Sequence, residues 1–400
     1  MINGKDIILI SGIDWDSLWQ GSQEIALRLA KAGNRVLYIE NLGIRTLTWK
    51  DKRRIALRLK SWAGSLISRG VRQVGPNLFV CSPIVMPPFG PGRRRYFNRR
   101  LLLHPILWAA RSLGMRDPTL WTFLPTDTAL DLINLFKAHS ASTVIYHCTA
   151  DFSELVPEPS KLRKSEMTLL QLSDLVFVTC PQLAEHCAPW NSNVHIFPNG
   201  VNFEDFYRHS GNGNRPDISI LSIAHPIIGY VGGLHRFVDF KLLTEMVRMR
   251  PQWSWVFVGP VQTSVGELAR FPNVHLLGQK PHQELGQYLC NFDVCIVPYI
   301  KSSATATVVP TKVNEYLAAG KPVVSTELLT ICDFNEQHGV LMTAPSRAED
   351  FLRAIEESLR LPTDLETVAP RTRVAKLNDW QAHLDAMSFL IDAEMRAKRL

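Results

Sequence analysis

Long apolar runs are missing from this 400-residue chain. A membrane-spanning helix needs roughly 18–20 consecutive apolar residues, and the longest candidate, residues 101–110, is interrupted by His104 and Pro105. No secretory leader is expected either, because Lys5 and Asp6 run straight into the strand-like IILIS. The seven cysteines, at 81, 148, 180, 187, 290, 295 and 332, are odd in number, scattered and without a C-x-x-C pair. Neither a disulfide framework nor a zinc site is indicated, and reduced, mostly core thiols in a cytosolic protein are expected. Internal repeats and low-complexity tracts are absent as well.

Acidic residues are nearly absent from one long region. Between Arg45 and Arg100 stand 14 basic residues and a single acid, Asp51, a net +13 in a chain whose total is +7. The remainder therefore carries −6. Leu47, Trp49, Ile55, Leu57, Leu59, Trp62, Leu66 and Ile67 are interspersed there at partly helical spacing, as at a headgroup boundary. An anionic membrane surface is the expected partner, each basic residue contributing on the order of 1 kcal/mol in a salt-dependent way. Nucleic acid would be met by the same charge sign, but no zinc finger, RNP-like aromatic motif or helix-turn-helix accompanies it. A merely solvated basic face is the remaining option. The expected location is cytoplasmic, peripheral at the inner face of the cell membrane.

What is present is βα alternation. At 400 residues two domains are the natural division. Residues 7–12, 35–40, 78–83, 120–125, 142–148 and 175–180 read as strands, with helices over 22–32, 97–113, 129–139 and 165–173 between them. Turn formers Pro198, Asn199 and Gly200, then the polar GNGNRPD at 211–217, mark a boundary. The alternation restarts at Ile227. The expected domains are 1–197, 201–370 and a terminal helical segment 371–400 crossing back to the first domain, with Trp380 and Phe389 as packing residues.

Residues 308–326, VVPTKVNEYLAAGKPVVST, hold the most specific pattern. Pro310 and Thr311 read as a helix entry, Gly320 as its C-cap and residues 322–325 as the entry to a buried strand. Lys312 and the helix N-terminus suit an anion, the dipole contributing roughly 0.3–1 kcal/mol. Glu315, one turn on, could accept two hydrogen bonds from vicinal ribose hydroxyls. An amphipathic helix with an exposed Lys and Glu explains the spacing equally well.

The segment resembles the donor-binding signature of GT-B glycosyltransferases of the family-4-like group, including bacterial exopolysaccharide and teichuronic-acid transferases. IFPNGVNFEDF (196–206), IIGYVGGLHRFVDFKLL (227–243), WSWVFVGPV (253–261) and NVHLLGQKPHQELGQYLCNFDVCIVPY (273–299) are similar to consecutive family blocks in the same order. The likeness is good over residues 146–325 and only architectural before that. It implies an α/β chain of two Rossmann-like parallel-sheet domains, with a nucleotide sugar bound at the carboxyl ends of the second domain's strands. Gly229, Gly232 and Gly233 would let backbone approach a diphosphate, although tight strand-to-helix packing explains them equally well. Arg236 would reach a β-phosphate, the loops at Gly259 and 278–282 would flank the base, and Tyr299 would either line the sugar pocket or serve structurally. No cofactor and no metal are expected beyond the nucleotide sugar substrate.

Sugar transfer needs a base for the acceptor hydroxyl. The block YHCTADFSE (146–154) is similar to a family block carrying paired acids, but His147 and Ala150 stand where acids are usual, leaving Asp151 as the expected base. Asp14 and Asp16, after the first strand, compete with it. Their D-x-D spacing also matches a metal site of a different transferase fold, and an exposed pair lining an acceptor loop is the preferred reading. Many retaining relatives carry a glutamate eight residues before the equivalent of Glu315, where this chain has Thr307. That departure leans toward inversion, as in glucuronosyltransferases of xanthan-type polymers, while His147 could instead act as the cleft histidine of retaining enzymes. The expected function is transfer of a sugar, UDP-linked, to a lipid-linked glycan acceptor of a bacterial surface polysaccharide. The alternatives are a sugar-nucleotide epimerase of the same fold and a non-enzymatic nucleic-acid-binding protein.

Overall fold

The structure is a computed structural model that describes residues 1–40, 71–83, 85, 88–89, 92–156, 158–208 and 218–398. Most of the basic region, including every interspersed apolar residue named above, lies outside the described residues, as does the 211–217 loop. The chain divides into two compact units, Met1–Phe197 with Leu384–Leu400, and Pro198–His383.

The first unit is built on an eight-stranded sheet. Its strands are β1 (Asp6–Ile10), β2 (Arg35–Ile39), β3 (Val71–Gly75), β4 (Leu78–Cys81), β5 (Thr119–Thr122), β6 (Val144–Cys148), β7 (Leu175–Val178) and β8 (Val194–Ile196). Their order is β3-β4-β2-β1-β5-β6-β7-β8, parallel except for the β3/β4 pair. Near-continuous apolar runs such as IILI and VLYI are buried along their length, which a parallel sheet covered on both faces requires. Strand β3, VRQVG, escapes a reading of pattern because it is polar, partly exposed and paired only at the sheet edge.

The helix expected over 97–113 is instead broken. Helix Gly92–Phe97 runs into a π turn, Asn98–Leu102, and a separate helix spans His104–Ser112. The Leu103 amide bonds the Asn98 carbonyl at 3.0 Å, five residues back, and Pro105, which has no amide to donate, sits in the first turn of the new helix.

The second unit carries a six-stranded, all-parallel sheet of order β11-β10-β9-β12-β13-β14. The strands are β9 (Ile227–Val231), β10 (Ser254–Val258), β11 (Val274–Gly278), β12 (Val294–Val297), β13 (Val323–Thr326) and β14 (Met342–Ala344). Trp255, Tyr230, Phe257, Phe292 and Tyr316 fill its core. Gly229 lies inside β9, where a Cβ would stand 1.9 Å from the Phe292 ring. Its role is close packing, not the approach of a diphosphate.

Residues 371–400 are not one helix. Helix Leu365–Leu377 ends at Asn378, and helix Trp380–Ala397 begins after Asp379. The break is held by side chains: Asn378 donates to the Asn314 side chain at 3.4 Å, and Asp379 accepts from the Phe203 amide at 3.1 Å. The division between the units falls within the last helix, between His383 and Leu384. Beyond it, the Met1 amine pairs with Asp385 at 2.7 Å, Asn193 reaches Glu394 at 3.5 Å and Lys398 pairs with Asp174. Trp380 packs in the second unit, where a Cβ on Gly200 would meet its ring at 2.4 Å. Phe389, expected as a packing residue, is 76% exposed. The buried stripe is Leu384, Met387 and Ile391, at the i, i+3, i+7 spacing of one helix face.

Candidate functional site

In the second unit the candidate donor residues gather at the carboxyl ends of the strands. Helix Lys312–Ala318 follows the loop after β12. Although Lys312 stands at its start, its side chain is only 7% exposed. The ammonium donates to the Tyr230 hydroxyl at 2.7 Å and the Tyr299 hydroxyl at 2.8 Å, and lies 3.9 and 4.9 Å from their ring centroids. Charge-assisted bonds and cation–π contact together keep a buried cation from being left unpaired. An exposed lysine on an amphipathic helix, the bland reading of the spacing, is thereby excluded.

The network extends to the glycine turn after β9. Tyr230 donates to the Gly233 carbonyl at 2.9 Å. Gly232 has φ +134°, and a Cβ there would come within 2.7 Å of the Lys312 ammonium. Gly259, φ +149°, passes so near that a Cβ would meet the Gly232 carbonyl oxygen at 2.1 Å. Both positions demand glycine, the first to leave the ammonium room and the second to let two turns touch.

His235 completes the cluster. The Phe237 amide donates to its Nδ1 at 3.2 Å, so Nε2 bears the proton and donates to the Tyr299 hydroxyl at 3.2 Å. Burial, then the charges of Lys312 and Arg236, push its pKa down to about 4. It is neutral at physiological pH. Arg236 is exposed with its guanidinium 4.8 Å from the Phe237 ring centroid.

Glu315, partly buried, accepts from His282 Nε2 at 3.1 Å. His282 belongs to the loop after β11 and sets its ring edge-on to Phe206 at 5.7 Å. Two distant blocks thus meet around one helix. Asn199 donates to the Val309 carbonyl and accepts from Asn314, each at 2.8 Å, which fastens the 196–206 block to the entry and first turn of the Lys312 helix.

In the first unit, Asp14, Asp16 and Asp151 all lie just beyond strand carboxyl ends, with β5 between β1 and β6. Each has its own engagement. Asp16, 74% exposed, pairs with Arg72 at 2.6 Å. Asp151 caps the short helix Phe152–Leu155, its Oδ1 accepting from the Ser153 amide at 2.9 Å and the Ser153 hydroxyl at 2.6 Å. Asp14 offers its backbone carbonyl to the Ser17 hydroxyl at 2.6 Å. His147 is buried among Phe123, Trp121 and Phe177, with ring centroids 4.8, 6.1 and 6.0 Å away. It is thus a buried histidine packed against three aromatic rings. Among the described residues, no three His, Cys, Asp or Glu side chains cluster as a metal site would need.

Sequence reasoning missed Glu40, at the end of β2. Its carboxylate accepts from the Trp15 amide at 2.7 Å and from the Ser82 hydroxyl, and burial pushes its pKa up. Trp15 also packs edge-on to Tyr38 and Trp19, so Glu40 anchors the loop that carries Asp14 and Asp16. An acid closing an apolar strand, RVLYIE, was the available signal. His235 was missed too, lying inside a block read for its glycines and charges, and His282 was read only as the end of a base-flanking loop.

Two parallel-sheet α/β units of this topology define a GT-B fold. Residues 225–360 match the family model of glycosyl transferases group 1. It is 30% identical over 266 residues to TuaH of Bacillus subtilis (strain 168), a glycosyltransferase assigned by inference to teichuronic acid biosynthesis. The match covers 62% of this chain and 66% of that relative, so the chain spans just under two thirds of its length. Among solved structures, sucrose-phosphate synthase from Thermosynechococcus elongatus superposes with a TM-score of 0.72 at 18% identity, covering 98% of this chain and 100% of that one. Anabaena HepE, solved in complex with UDP and glucose, superposes at 0.64 and 14% identity, covering 97% and 99%. At these identities the two structures speak for the fold.

Proposed function

We propose that the protein is a glycosyltransferase that moves a sugar from a UDP-linked donor to a lipid-linked glycan acceptor in bacterial surface glycan synthesis. The observation that carries this reading is the second unit's cluster: a sequestered lysine held by two tyrosines against a glycine turn, with a histidine-tethered glutamate one helical turn away. Such a set suits a diphosphate beside a ribose. The complex of HepE with UDP and the assignment of TuaH to a glycan pathway support the donor and the acceptor class.

In this reading Lys312, with Arg236, takes up the negative charge that develops on the departing diphosphate, so no metal and no cofactor are needed. Glu315 holds the ribose hydroxyls. Asp151 removes the proton from the acceptor hydroxyl as its oxygen attacks the anomeric carbon and the bond to the diphosphate breaks, giving inversion. Arg72 neutralises Asp16, which leaves Asp151 as the better base. The basic region of the first unit brings the protein to the cytoplasmic membrane face, where the acceptor resides.

The test is a thermal-shift titration with UDP, GDP, ADP and CMP and their sugar forms, on wild type and Glu315→Ala. A ligand that binds only the folded state raises Tm by mass action. A uridine-specific rise in wild type, with the midpoint concentration displaced roughly 10- to 100-fold in the variant, is expected. An equal response from both proteins would remove Glu315 from the site, and no response to any nucleotide in wild type would overturn the reading.

A further inference from the structure

The helical segment of residues 92–112 contains six arginines and no acidic residue. Only Arg95 is paired with a carboxylate among the described residues; it holds the buried Asp131 at 2.8 Å. Asn98, three residues on, is buried on the same side. The opposite face carries Arg93, Tyr96, Phe97 and Arg100 at i, i+3, i+4 and i+7. All four are exposed, Tyr96 by 62%, and the Arg100 guanidinium lies 5.9 Å from the Tyr96 ring centroid. Arg94 and Arg99 flank this stripe, also exposed. In the following helix, Trp108 is 60% exposed, with Arg111 one turn beyond it.

Soluble surfaces seldom set three large aromatics outward within 13 residues and surround them with one sign of charge. We propose that the stripe of Arg93, Tyr96, Phe97 and Arg100, together with Trp108 and Arg111 exposed on the helix that follows, is the surface by which the first unit docks on an anionic lipid bilayer. This sharpens the peripheral membrane location already proposed, and rests on that reading for its occupant. Aromatic rings are suited to the headgroup boundary, and guanidinium groups to lipid phosphates. The absence of acid along the segment is the charge complementarity that an anionic surface selects. Duplex nucleic acid, whose bases are already stacked, would be attracted by the arginines alone and would leave the aromatic residues without a partner.

The experiment is flotation with vesicles of phosphatidylcholine, with and without about a quarter phosphatidylglycerol, at low and high salt. Three proteins are compared: wild type, R93Q/R94Q/R99Q/R100Q, and Y96S/F97S/W108S. Wild type is expected to float only with the anionic vesicles and less at high salt, since each arginine near such a surface is worth about fivefold. The arginine variant should lose binding by roughly 600-fold, and the aromatic variant should lose it at both salt concentrations. Retention of the uridine nucleotide thermal shift in both variants reports folded protein and separates this proposal from the donor reading. Undiminished flotation of either variant, or binding of wild type to duplex DNA with no flotation, would overturn it.

Discussion

In the second unit, Lys312, Tyr230, Tyr299 and His235 share one hydrogen-bond network that ends on the glycine turn, whereas in the first unit Asp16, Asp151 and Glu40 are each engaged by different neighbours. The second arrangement is preorganised for a ligand of fixed shape and charge, since its groups are already in place and already desolvated. The first is a set of separately anchored loops with a carboxylate edge.

That contrast can be broken first on the acceptor side. Asp151→Asn keeps a side chain able to cap the Phe152–Leu155 helix, so the fold should survive. If Asp151 is the base, kcat falls about 100- to 10,000-fold while the donor midpoint in the thermal shift stays put. Wild-type turnover would make Asp151 a capping residue only and shift the role to Asp14. On the donor side, Lys312→Met fills similar volume without charge. Loss of about 100- to 1,000-fold in kcat/KM is expected, with chelator leaving wild-type rates unchanged. A variant that matches wild type would reduce the tyrosine pair to core packing.

The smallest effect concerns pH. His235 has a folded pKa of about 4, depressed from an ordinary 6.5, so between those values the unfolded chain binds more protons than the folded one. Stability should therefore fall as pH drops from about 6.5 through about 4. His235→Gln, which can still donate toward Tyr299, should flatten that slope in a series of melts, while leaving pH 7–9 unaffected. An unchanged slope would mean that His235 is solvated and not part of the network.

The Lys312–Ala318 helix and the strand-to-helix rhythm were legible because they follow local rules: apolar runs for buried parallel strands, a proline-led helix entry, a glycine exit. His282 beside Glu315, and Asn199 beside Val309 and Asn314, were not, because those pairs are brought together over 33 to 115 residues by sheet order. Gly229 and Gly232 looked alike in sequence, yet one faces Phe292 and the other Lys312. The packing of His147 against Phe123, Trp121 and Phe177 was likewise out of reach of any local pattern. The break in residues 92–112 needed the π turn, which no propensity signals.

The last helix has a consequence for how the chain is made. The first unit includes Leu384–Leu400, and Leu384, Met387 and Ile391 are buried. A ribosome that has just released Phe197 must still add 187 residues before Leu384 exists. At about 5–20 residues per second, that is roughly 10–40 s. Throughout that time the nascent first unit lacks the segment that carries Leu384, Met387 and Ile391, while the whole sequence of the second unit, Pro198–His383, is synthesised ahead of it. The order of synthesis is thus the reverse of the order of completion, and the interval is one in which a chaperone would find its substrate.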